Sequence, residues 1–96
     1  MKFEQTLEKT YYNHGFFNVK VDYDGFIRKS NGPIAIQLGY GGHAIPGRVN
    51  RTANLNNTAR IHGRSELRNW FQANFQIGDE LIVDVQAPEH IVLLRK

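Results

Sequence analysis

The sequence predicts a mainly β domain, a sandwich or barrel of six or seven short strands with one clear helix. Three observations lead there. Short β-branched or aromatic runs recur between breaks rich in Gly, Asn and Pro. Only the stretch over about residues 66–75 carries apolar residues at helical spacing. The 96 residues, 41% hydrophobic and 11% aromatic, suffice for one core and show no internal repeat.

Phe3 to Lys9 alternates loosely and is the first expected strand. Tyr11 to Gly15 is expected to be a loop, since Gly15 can take positive φ. Phe16 to Tyr23 has strong β propensity and gives a second strand, followed by a turn or bulge at Asp24-Gly25 and a break at Ser30-Asn31-Gly32-Pro33. Ile34 to Leu38 is a short strand, and Gly39-Tyr40-Gly41-Gly42 a flexible connection. Ala44 to Thr52 reads as a strand running into a polar segment. Asn54-Leu55-Asn56-Asn57 is a hairpin tip, because Asn tolerates left-handed backbone. Thr58 to His62 returns, and Gly63 ends it. Ser65 is the expected N-cap of the helix. Leu67, Trp70, Phe71 and Phe75 then form an aromatic face that can close an open barrel. After Gly78-Asp79, Glu80 to Val85 and Ile91 to Arg95 are a natural strand pair, joined by a turn over Ala87 to His90.

Several functions find little support in this pattern. The chain has no cysteine, which removes disulfides and thiolate metal sites. No run approaches the ~18 apolar residues of a membrane-spanning helix, and no apolar leader follows Met1. A cytoplasmic protein is expected. His14, His43, His62 and His90 fall in different elements without ligand spacing. Asp22 with Asp24, and Asp79 with Glu80, are explained by turns rather than acid–base chemistry. Gly39 to Gly42 lacks the pattern of a phosphate loop and precedes a strand. No catalytic residue, metal or cofactor is expected.

Charge is more informative. The net charge is +3, from 12 basic and 9 acidic residues. The basic residues cluster: Arg48, Arg51, Arg60, Arg64 and Arg68 are opposed only by Glu66, whereas Asp79 to Glu89 is acidic. That distribution suggests one basic face. From Arg48 to Arg64 the chain holds four Arg, four Asn and two Thr, and no acid. Arg can fork onto guanine or phosphate, and Asn can pair with adenine. Thr and backbone N–H groups can hold phosphates. A solvated hairpin whose Asn residues only shape turns accounts for the same residues. A second polar and aromatic loop is expected at Lys9-Thr10-Tyr11-Tyr12-Asn13.

The order of these elements resembles the B-three DNA-binding domain, and within it the target-recognition domains of type II restriction endonucleases. Thr6 to Asn13 looks like one DNA-gripping arm. Phe16-Phe17-Asn18-Val19-Lys20-Val21 is similar to the hydrophobic stretch that follows it. Arg48 to Arg64 looks like the second arm, and Trp70 followed by Gly78-Asp79-Glu80-Leu81 fits the end of the pattern. The sequence lacks the Pro of the plant members after its second-strand apolar pair, and its helix around Trp70 is better defined.

The resemblance implies an open seven-stranded pseudobarrel, with room for a second short helix, spanning residues 1–96 as one domain. It implies sequence-specific binding of duplex DNA by two arms in the major groove. The expected contacts are Lys9, Thr10, Tyr11, Tyr12 and Asn13 on one arm. On the other they are Arg48, Asn50, Arg51, Asn54, Asn56, Asn57, Arg60, His62 and Arg64. No nuclease motif is visible, so a nuclease domain is expected in the parent chain or a partner chain. A protein-interaction module is the alternative. So is a single-strand nucleic-acid binder using Phe16, Phe17, Tyr23 or Tyr40 on a barrel face.

Overall fold

A computed structural model describes residues 1–96. Its elements are β1 (Lys2–Thr6), α1 (Lys9–His14), β2 (Phe16–Asn18), a 3-10 turn (Val21–Phe26), β3 (Gly32–Leu38), β4 (Ala44–Asn50), β5 (Arg60–His62), α2 (Arg64–Asn74), β6 (Glu80–Ala87) and β7 (His90–Arg95). The seven strands form one mixed sheet in the order β1-β6-β7-β3-β4-β5-β2. The β3–β7 pair is parallel and every other pair antiparallel. The sheet curls into an open pseudobarrel, as the fold class predicted from the sequence requires.

Alternation explains which side chains go inside. Successive residues of a strand point to opposite faces. Phe17, Ile34, Ile36, Ile45, Val49, Ile61, Leu81 and Val83 therefore line the interior and are buried. Each such side chain contributes roughly 1.5–3 kcal/mol on burial. On β6 and β7 burial reaches the outward face at single positions, such as Val92. Asp84, on the outward side of β6, is also buried, because the β3–β4 turn folds over it and the Tyr40 hydroxyl donates to its carboxylate.

α2 closes the barrel with the predicted face. Leu67, Phe71 and Phe75 are buried, and Trp70 sits edge-on to Phe75 with ring centroids 5.3 Å apart. Its N-cap is Gly63, with no side-chain capping bond, so the expected capping by Ser65 does not occur. A Cβ at residue 63 would lie 2.4 Å from that of Leu67, so a glycine lets the helix start tight against its own first buried residue.

The structure also departs from the sequence reading in the first quarter of the chain. The expected loop over Tyr11–Gly15 belongs to α1, which starts at Lys9 and ends on Gly15 in left-handed conformation (φ 71°). Tyr11 is buried there, packed edge-on to Phe16. The first strand correspondingly stops at Thr6 rather than Lys9. The expected strand Phe16 to Tyr23 pairs only as far as Asn18, because its partner β5 is three residues long. Beyond Val19 the chain winds into the 3-10 turn, which brings Asp24 under the β4–β5 connection.

Candidate nucleic-acid interface

The same alternation that buries Val49, Ile61 and Phe17 turns their neighbours outward. On β4, β5 and β2 the register sets Arg48 beside His62 and His62 beside Phe16. One step along it sets Asn50 beside Arg60 and Arg60 beside Asn18. These two rows form one outer face, and none of the three strands carries an acid. Arg64 follows directly at the start of α2.

The arginines of this region divide into two kinds. Arg51 is 13% exposed and forms an ion pair with Asp24 at 2.6 Å. Its guanidinium donates five hydrogen bonds, to the Asp24 carboxylate and to the carbonyls of Asp24, Ile27, Arg28 and Asn57. Asp24 also accepts from the Ala59 N–H at 2.7 Å. Arg51 is therefore the bolt of the β4–β5 connection, with no donor left to aim at a ligand. Arg48, Arg60 and Arg64 have no carboxylate partner. Arg60 lies over the Phe16 ring at 4.5 Å, a cation–π contact that fixes its plane. It donates to Asn18 at 2.9 Å and still has donors to spare. Arg48 and Arg64 flank a recess of about 230 Å³ with His62, Pro46 and Gly47.

Backbone geometry sets the position of Arg64. It adopts φ 55°, an uncommon conformation for a residue with a side chain. Gly15 packs against its backbone so closely that a Cβ there would lie 2.1 Å from the Arg64 carbonyl oxygen. The Gly63 N–H donates to the Gly15 carbonyl at 2.9 Å. The end of α1 thus docks on the start of α2, and the strained turn projects Arg64 from the junction.

His62 sits between the two kinds of chemistry. Its ring tilts against Phe16, and its Nε2 is buried without a partner. Burial, reinforced by Arg60 and Arg64, pushes its pKa below the ordinary histidine value. The ring is neutral at pH 7 and adds no charge to the face.

Each asparagine of the connection has a local task. Asn50 accepts from the Thr52 N–H and hydroxyl, and Asn56 does the same for Thr58. Asn54 donates to Asn18 and to the Thr58 carbonyl. Asn57 takes φ 61°. The turn-shaping role weighed from the sequence is real. It leaves the amide nitrogens of Asn50 and Asn56 without protein partners, so the two roles coexist.

The other expected arm is a helix rather than a loop. Lys9, Thr10 and Asn13 are exposed and Tyr12 half-buried, while Tyr11 belongs to the core and leaves the exposed surface. Sequence reasoning passed over Asn18 and Phe16 as members of this face. Their pairing with β5 was the missing information. Of the aromatic rings considered for stacking, Phe17 is fully buried, Phe16 lies beneath Arg60, and Tyr23 stacks on Phe3 at 4.6 Å. Of these four only Tyr40 is well exposed, in the β3–β4 turn; Phe26 is the other exposed Phe or Tyr ring of the chain. No group of three His, Asp or Glu side chains comes together to hold a metal ion, and no helix is long and apolar enough to cross a membrane. No protein family, curated protein or solved structure matches the chain.

Proposed function

We propose that the outer face of β2, β4 and β5, with the β4–β5 connection and the exposed side of α1 as two arms, reads duplex DNA by sequence. The observation that carries this reading is the acid-free face bearing Arg48, Arg60 and Arg64 without carboxylate partners, beside unpartnered amides of Asn50 and Asn56. In this reading Arg48 and Arg64 hold phosphates, while Arg60, planar and oriented by Phe16 and Asn18, meets base edges. Arg51 acts only by holding the arm. The scarcity of exposed rings disfavours stacking of single strands. The domain then serves as the recognition part of a cytoplasmic restriction endonuclease, whose nuclease domain lies in the parent chain or a partner chain.

The test is a salt titration of binding to random duplex, coupled to selection from an oligonucleotide pool. The selected pool should converge on one short motif. Arg48→Ala and Arg64→Ala should each weaken all sequences alike and flatten the log–log salt slope by about one unit. Arg60→Ala should cost about 1–3 kcal/mol at one base position and relax specificity there. An acidic protein partner, bound tightly where duplex DNA is ignored, would replace this reading with a protein-docking surface.

A further inference from the structure

Leu55 has no part in holding the fold. It stands fully exposed, 106% of its reference area, at the tip of the β4–β5 connection, while every other leucine of the chain is buried or half-buried. The connection that presents it is not loose. Arg51 bolts one side, and Asn54 is tied to Asn18 at 3.0 Å on the other. An apolar side chain is thus displayed in water on a rigid mount.

Beside Leu55, which forms part of its rim, the open edge of the barrel leaves a shallow, wide-mouthed cavity of about 530 Å³ between β1, β2 and the connection. That volume is within the range of small-ligand clefts, about 300–1,000 Å³. Gln5, only 5% exposed, is part of its wall, and its side-chain carbonyl, itself buried, has no hydrogen-bond partner. A buried polar atom without a partner costs free energy. Asn56 lines it too, and its amide nitrogen carries no protein bond, whereas the Asn18 amide on the same wall bonds the Tyr11 side chain; Lys20 and Val19 complete the wall. The lining therefore offers amide groups, a lysine and an apolar side. That is the chemistry of a nucleobase edge and face. The cavity is also continuous with the basic face, because Asn18 and Asn54, both on its rim, accept from Arg60 at 2.9 and 3.4 Å.

We infer that this cavity receives one nucleobase turned out of the duplex, with Leu55 as the wedge that fills the gap left in the stack. Apolar side chains inserted between base steps unstack them, and an extruded base is read by hydrogen bonds to its edge. The inference rests on the duplex-binding reading of the adjacent face.

The test uses the selected duplex with 2-aminopurine placed at each position in turn, since its emission rises when it leaves the stack. Emission should rise on binding at one position only. An abasic nucleotide at that position should tighten binding by about tenfold or more, because the unstacking cost is already met. Leu55→Ala should abolish the emission rise while retaining salt-dependent binding, and Leu55→Phe should restore it. Duplex bound to saturation with flat emission at every position, and no gain from an abasic nucleotide, would overturn base extrusion alone. Failure to bind any duplex would remove both this inference and the reading beneath it.

Discussion

Arg51 and Arg60 are the same residue type nine positions apart in one polar segment, yet they do opposite work. What separates them is the position of Asp24, which lies outside the segment. A sequence shows that arginines cluster; it does not show which one is already spent. His62 makes the same point with a testable consequence. An unfolded histidine takes up its proton near pH 6.5, whereas the folded ring, neutralised by burial and by Arg60 and Arg64, takes it up at lower pH. Between those values the unfolded chain binds more protons, so stability rises with pH there. The contribution is fully present above about pH 6.5 and is lost as pH falls through the folded value. Denaturant unfolding at about pH 7 and about pH 5 should show this loss, and His62→Gln should remove its share of the difference.

At the scale of elements, the β4–β5 connection is a loop given the firmness of a strand by one buried guanidinium. Arg51→Met should destabilise the protein by about 2–4 kcal/mol, because it leaves Asp24 and several carbonyls without their donor. Arg51→Lys should recover little of this, since an ammonium lacks the planar fork. A shifted denaturant midpoint would measure the loss, and faster amide exchange over residues 52–58 would place it in the arm. The elements were unevenly legible in the sequence. Short β-prone runs between breaks identified β3 to β7, and aromatic spacing identified α2, because both patterns are local. α1 was not legible. Thr10, Tyr11 and Tyr12 are mediocre helix formers, and their helix depends on the docking of Gly15 against Arg64. The end of β2 was equally hidden, since a strand stops where its partner does. The site followed the same division. Arg48, Arg60 and Arg64 were visible as charge, whereas the face they share with Phe16 and Asn18 exists only through strand register.

For the whole molecule, the pairing of distant segments governs how the fold is reached. β1 pairs with β6, at residues 2–6 against 80–84, and β3 pairs in parallel with β7. Closing such loops costs entropy before any contact offsets it. Folding should therefore take milliseconds to seconds, as in other β-dominated domains. Stopped-flow refolding followed through Trp70 would measure it, and a microsecond phase carrying the full amplitude would contradict it.

The register of β1, β6 and β7 also determines how the domain bears a load. β1 begins beside Asp84, in the middle of β6, and β7 ends beside Leu81, near its start, so the chain enters and leaves on opposite sides of β6 and the two terminal strands point the same way along it. Tension applied through the two termini runs along the strands and shears the ladders on either side of β6. Their hydrogen bonds then carry the force together instead of peeling one at a time. Force applied through these ends is met at the side of the sheet remote from Arg48 and Arg60, so the outer basic face lies outside its path.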